Sequence, residues 1–168
     1  SPVEGEGLVL GNEHHHAVVE DVAMVLRRRR VEDDGLEGQR LRTVRDLLSD
    51  GYLGDLLAID VRISQGTFVD AESPLHWRQD RELSGYNALS LGIWYESLLR
   101  WVGPATRVLA MTRVVVNRRK DADGALRAVS VPDHIDVLCD MACGAQAHLQ
   151  VSGVTGLSRG GVWLHGSD

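Results

Sequence analysis

The sequence predicts an α+β fold, a mostly antiparallel open sheet with helices packed on one face. Two observations carry this prediction: a helical pattern precedes residue 51, and four or five strand-like segments follow residue 105 with no helix between them. Strands that follow one another without crossover helices are antiparallel neighbours. The 168 residues suffice for one domain with a real core.

The first stretch, SPVEGEGLVLGNEHHH, is rich in glycine and lacks periodicity, which reads as an irregular lead-in. In HHAVVEDVAMVLRRRR, Val18, Val22, Val25 and Leu26 recur at helical spacing, and Arg27 to Arg30 suit the negative end of a helix dipole. A helix is therefore expected there, with residues 1–35 set apart from the domain of residues 36–168. QRLRTVRDLLSDG predicts a second helix, with Leu41, Val44, Leu47 and Leu48 on one face and Gly51 as its stop.

LLAIDVRIS alternates Leu57, Ile59, Val61 and Ile63 with Ala58, Asp60, Arg62 and Ser64, the period of a strand covered on one face. From Gln65 to Ser84 little pattern exists, and a connection this long inside a compact domain is usually functional. The stretch Ser84 to Pro104 reads as a helix. RVLAMTRVVVN is a β-branched strand, and Asp123-Gly124 supplies the turn of a hairpin. HIDVLCDMAC places Ile135, Val137, Cys139 and Met141 on one face, and QAHLQVSG and GVWLHG close the series.

An apolar content of 43% with 25% charged residues is that of a packed protein. The net charge of −6 disfavours a nucleic-acid surface and points to a small-molecule or protein partner. No apolar run reaches the ~20 residues of a membrane span, and no basic then apolar leader opens the chain, so no membrane is expected and the cytoplasm is the expected compartment.

Several motifs reduce to ordinary structure. GEGLVLG has the glycines of a dinucleotide loop, but only four residues precede Gly5, too few for the strand that such a loop follows. His14, His15 and His16 cannot converge on one metal from a helix; His16 and Glu20 share a face but make only two ligands. Cys139 and Cys143, about 13 Å apart along a strand, are too distant for one zinc and read as buried thiols. No metal is expected. PLHWRQD differs: His76, Trp77 and Arg78 join a titratable base, an aromatic platform and a fixed cation, a set suited to an oxygen-rich or anionic ligand. The alternative is that Trp77 anchors the loop while Arg78 pairs with Asp80 or Glu82.

RLRTVRDLLSDGYLGDLLAIDVRI, then HWRQD, SGYNALSLGIWYESLLRWVGPATRVLA and GVWLHGSD, together resemble the C-terminal domain of the Gfo/Idh/MocA family of NAD(P)-dependent oxidoreductases, from about Gln39 to Asp168. Gly51-Tyr52-Leu53-Gly54 matches the family's turn into the first strand, Gly92-Ile93 its Gly-Ile, and Gly103 the end of its helix. The resemblance implies a substrate-binding and oligomerisation domain, incomplete at its end, for a sugar, polyol or related hydroxyl compound. It further implies a homo-oligomer formed through the sheet face, and substrate contacts from Asn87, Ser90, Trp94 and Tyr95 beside His76, Trp77 and Arg78. Ser90 stands where the family has Asp and Trp94 where it has His, and neither performs that pair's proton transfer efficiently near neutral pH. NAD or NADP serves the intact relatives through a Rossmann domain with a Glu-Lys-Pro motif. That domain lies outside this sequence, so this chain alone is expected to be inactive and to bind no cofactor. The competing expectation is a binding or assembly module that kept the fold and lost the chemistry.

Overall fold

The computed structural model describes residues 8–10, 16–20, 44–86, 90–156 and 160–168. Its main sheet has seven strands: β1 (Leu8–Leu10), β2 (His16–Glu20), β3 (Leu56–Ser64), β4 (Ala105–Arg113), β7 (His134–Met141), β8 (Gln146–Ser152) and β9 (Gly161–Gly166). They lie in the order β1-β2-β9-β3-β8-β7-β4. A separate two-stranded sheet pairs β5 (Arg118–Lys120) with β6 (Leu126–Ala128). The helical segments are α1 (residues 44–49), α2 (Arg81–Ser84) and α3 (Leu91–Val102).

The α+β class holds, but the sheet is mixed. Strands β3 and β8 are parallel, with Ile59 opposite Ala147 and Val61 opposite Leu149, whereas the other neighbouring strands run antiparallel. Strands β8 and β9 are consecutive yet do not pair, because β3 lies between them. The connection from β8 therefore passes the end of β3, and small residues make room for it. A Cβ at Gly153 would meet the Phe68 ring at 2.6 Å, and one at Gly160 would meet the Arg62 carbonyl at 3.0 Å. The Gln65 N–H donates to the Ser152 carbonyl at 2.8 Å and closes the crossing.

The expected helix through residues 15–30 is corrected in its first part. His16–Glu20 is strand β2, bonded to β9 with Val18 opposite Trp163. A β-branched pair, Val18-Val19, meets an open sheet edge there, and ladder hydrogen bonds outweigh a weak helical pattern. The remainder of that expectation lies outside the described residues. The second expected helix is α1, which ends where foreseen. The Tyr52 N–H donates to Leu47 and the Gly51 N–H to Leu48, with Gly51 at φ 72°, a left-handed helix stop.

Period-two patterning places Ile59, Val61 and Ile63 of β3 in one buried cluster with Ile135, Val137, Cys139 and Met141 of β7, Ala147, Leu149 and Val151 of β8, and Val162 and Leu164 of β9. Helix α3 brings Trp94, Leu98 and Val102 into that cluster at a spacing of four. Cys139 is buried, and burial pushes its thiol pKa up. Cys143 is not on the strand: β7 ends at Met141, and Cys143 is exposed in the following turn.

The other sheet face presents a polar row. The Asp136 carboxylate accepts from Gln150 at 3.1 Å and bonds His134 at 2.9 Å and His148 at 3.1 Å, while the second ring nitrogen of His148 lies 3.4 Å from Asp60. Burial pushes the Asp136 pKa up, but the His148, Gln150 and His134 hydrogen bonds outweigh it, so the net direction is down.

Replacing Leu98 by Ala is expected to cost about 2–5 kcal/mol in chemical denaturation, since its side chain is wholly enclosed. Because folding lowers the Asp136 pKa, its stabilisation is present above the ordinary carboxylate range and is lost as pH falls through the folded value. Asp136→Asn should therefore lower Tm by about 2–4 °C at pH 7, and the gap to the parent should narrow as pH falls below the ordinary carboxylate range in a pH series of thermal melts.

Candidate functional site

Residues 65–86 leave the end of β3 and approach the start of α3 through short turns rather than a long helix or strand. A 3-10 turn at Gly66–Phe68 buries Phe68, and a second at Trp77–Gln79 is capped by His76. The His76 Nδ1 accepts the Arg78 N–H at 3.2 Å, and the Gln79 Oε1 accepts the His76 N–H at 3.5 Å. This bond assigns the imidazole tautomer: Nδ1 is the acceptor, so Nε2 carries the proton in the neutral ring.

Helix α2 follows at once. Asp80 caps it by accepting the Glu82 N–H at 2.9 Å, and the Ser84 hydroxyl donates to the Arg78 and Asp80 carbonyls. The loop is thus locally ordered, and it presents an aromatic. Trp77 is 50% exposed, and the Arg78 guanidinium stands over its ring at 5.0 Å. Among the described residues Arg78 has no ion pair with Asp80 or Glu82 and is committed to the indole instead.

His76, Trp77 and Arg78 accordingly form one contiguous set, with the His76 ring 5.7 Å from Trp77 and 5.5 Å from Phe68. This set combines an N–H donor or acceptor, a flat apolar face and a fixed cation. Sugars and polyols offer the complementary surface, C–H faces edged by hydroxyls.

The other residues singled out in the sequence divide. Ser90 stands at the N-cap of α3 and makes no side-chain capping bond. Asn87 lies outside the described residues. The Tyr95 hydroxyl accepts the Ala105 N–H at 3.0 Å, which ties α3 to the start of β4. Trp94 is 3% exposed and belongs to the core, in one stripe with Leu98 and Val102. Its ring packs on the sheet and does not wall an open site.

Sequence reasoning missed Arg119 and Gln79, both buried. Arg119 donates from Nη2 to the Phe68 carbonyl at 2.7 Å and from Nη1 to the Asp70 and Ser73 carbonyls at 2.6 and 3.1 Å. Nothing distinguishes it in the sequence from its basic neighbours Arg118 and Lys120. The polar row of β7 and β8 was also missed, although His134 and Asp136, and His148 and Gln150, stand two apart on alternating strands, a signal that was there to be read.

On that polar face a cavity of about 570 Å³ spans β3, β8, β7 and β4, with Asp60, Arg107, Leu109, Leu138, Asp140 and His148 in its lining. Arg107 bonds Asp140 across the β4–β7 pair, and with Gln146 it holds the Asp140 carboxyl below its usual range. Leu109, Met111 and Leu138 are exposed here by 66%, 74% and 52%. Among the described residues no helix is long and apolar enough to cross a membrane.

A family model described as the GFO/IDH/MocA C-terminal domain matches residues 41–168. A D-xylose 1-dehydrogenase (NADP(+)) of Haloarcula marismortui is 28% identical over 127 residues, covering 71% of this chain and 35% of that protein. Among solved structures, an NAD binding oxidoreductase from Klebsiella pneumoniae has a TM-score of 0.67 at 21% identity, covering 76% of this chain and 35% of that one. Levoglucosan dehydrogenase in complex with NADH and L-sorbose has a TM-score of 0.66 at 20% identity, covering 74% and 34%. The chain therefore spans about a third of the length of these proteins, and the structural likeness establishes the fold. With the family model matched over most of its length, the chain belongs to the Gfo/Idh/MocA family through that family's C-terminal domain.

Proposed function

We propose that this chain is the substrate-binding and oligomerisation domain of a Gfo/Idh/MocA-like oxidoreductase acting on a sugar, polyol or related hydroxyl compound. The observation that carries this reading is the ordered His76-Trp77-Arg78 set with its half-exposed indole. The relatives support the substrate class: one is named for D-xylose, and another is complexed with L-sorbose.

Among the described residues, those of the glycine-rich first stretch do not fit a dinucleotide loop. Leu8–Leu10, the centre of GEGLVLG, is strand β1, antiparallel to β2, where a pyrophosphate site needs a glycine turn opening a helix. When bound, NAD or NADP supplies the hydride acceptor, and in this reading a separate domain holds it. The chain's own contribution is to bind and orient. Trp77 stacks a sugar face, Arg78 and His76 Nε2 engage hydroxyls, and Ser90, whose hydroxyl makes no capping bond, stands near the start of α3. Asn87 completes the expected substrate set.

Trp94 and Tyr95 act by packing, since the indole is in the core and the phenol holds Ala105. An indole N–H is no acid or base near neutrality, so position 94 performs no proton transfer. Whatever accepts the substrate's proton comes from elsewhere in the intact enzyme.

The polar sheet face supplies the oligomer contact in this reading. Seven strands ~4.8 Å apart and about seven residues long cover roughly 650–700 Å², close to the ~800 Å² per partner of a standard interface. Exposed Leu109, Met111 and Leu138 give that face an apolar patch along its β7–β4 edge.

Titrating the chain with D-xylose, L-sorbose and levoglucosan is expected to quench tryptophan emission saturably. Trp77→Ala or Arg78→Met should weaken that binding about tenfold, a loss of ~1.4 kcal/mol. A response that neither substitution changes would place the site elsewhere, and submicromolar binding of NADH by this chain would overturn the division of labour. Light scattering should show a dimer that Leu138→Glu converts to monomer, because a buried unpaired carboxylate opposes association. A monomeric parent protein removes the sheet face from the proposal.

A further inference from the structure

We propose that Arg119 is a positioning residue for the His76-Trp77-Arg78 set: a buried guanidinium on the β5–β6 hairpin that fixes the height of the substrate loop above the sheet. This rests on the reading of residues 76–78 as the substrate side.

The hairpin stands apart from the main sheet, and its turn is locally built. Asp121 accepts the Asp123 and Ala125 N–H groups at 3.0 and 2.8 Å, and Gly124 takes φ 80°. From this base Arg119, 1% exposed, reaches the loop. Its fork spans three carbonyls, those of Phe68, Asp70 and Ser73. Among the described residues, the bonds to the Asp70 and Ser73 carbonyls are the long-range hydrogen bonds that hold residues 69–74, and Phe68 is held besides by its N–H donating to the Gly153 carbonyl; the other bonds in 69–74, such as Glu72 and Ser73 to the Asp70 carboxylate, are local.

From the guanidinium the constraint passes to the site by two short routes. The Phe68 ring lies 5.8 Å from the Arg119 guanidinium on one side and 5.5 Å from the His76 ring on the other. The Leu75 N–H donates to the Lys120 carbonyl at 2.8 Å, so the residue before His76 is bonded to the residue after Arg119. Moving Arg119 thus moves both supports of His76, whose Nδ1 in turn caps the turn bearing Trp77 and Arg78.

The chemistry requires arginine at this position. No carboxylate forms an ion pair with Arg119 among the described residues, so the three carbonyl dipoles, the Phe68 ring and the longer-range charge of Asp70 offset a cation taken out of water. Such burial is costly as a stability device, and an apolar side chain would fill the space more cheaply. What only the planar fork supplies is fixed-angle bonding to several carbonyls at once. A lysine ammonium is a single point with rotating donors and does not hold the same three groups in one plane. The guanidinium touches no substrate in this arrangement and acts through the loop.

The test uses the full chain with Arg119→Met and Arg119→Lys. Hydrogen exchange of loop peptides from 66 to 84 should accelerate about tenfold in Arg119→Met, while peptides of β7 and β8 keep their parent protection, as expected of local opening. The dissociation constant for the sugar that the parent binds should rise by about tenfold or more, with Arg119→Lys intermediate in both readings. Unchanged loop exchange in both variants overturns the proposal. Released loop peptides with unchanged sugar affinity also overturn it, because the residue is then structural only. Should Arg119→Met not fold, Arg119→Lys keeps the charge, loses the fork and gives the same two readings. Should the parent take up no sugar, the substrate reading fails by itself. Loop exchange, with acrylamide quenching referenced to Trp77→Phe, still decides Arg119: unchanged Trp77 accessibility overturns it and increased accessibility supports it.

Discussion

Strand β3 takes hydrogen bonds on both sides from strands that lie some eighty residues or more further along the chain, β8 in parallel and β9 antiparallel. Closing loops of that length is entropically expensive, so the pairing holds only because Ile59, Val61 and Ile63 simultaneously bury against the rest of the core. Other placements follow from this one. The β8–β9 connection has to pass the end of β3, and β2 finds its place on the far edge of β9. The segment that leaves β3 emerges beneath that crossing, at Gly153 and Gly156. The loop of residues 65–86 therefore starts from a tightly constrained point of the sheet.

Its other end is set by α3. The stripe Trp94, Leu98 and Val102 seats the helix in the core, and the Tyr95 hydroxyl fastens its end to β4. Gly103 at φ 83°, with its N–H donating to Leu99, stops the helix so that β4 can begin two residues later. The residues that the family would use for proton transfer sit on this same helix. At position 94 a side chain long enough to reach the core has done so. Position 94 is thus a packing position, while in the preceding loop Arg119 holds the Phe68, Asp70 and Ser73 carbonyls.

The two faces of the sheet separate by charge in the same way. Period two sends Ile135, Val137 and Cys139 inward, and it sends His134, Asp136 and Asp140 outward. On the outer face Asp136 gathers two imidazoles and an amide from neighbouring strands, so a row of isolated polar residues becomes a network only through register. The network is half-buried.

Much of this was legible in the chain itself. The alternation in β3, β7 and β8, the stop at Gly51, the end at Gly103 and the Asp123-Gly124 turn are local patterns, and each acts within one or two turns of backbone. The same periodicity would have placed Trp94 on the core stripe, had the family motif not suggested a substrate position. What the sequence alone could not state was which strands meet. A parallel β3–β8 pair, the capture of His16–Glu20 by the β9 edge, and the reach of Arg119 to carbonyls some fifty residues earlier all join distant segments. Local propensity is blind to such contacts, because their free energy exists only once the chain has closed on itself; the sequence determined most of the elements after residue 43 and their buried faces, and tertiary structure decided their neighbours, the strand at His16–Glu20 and hence where the loop's side chains point.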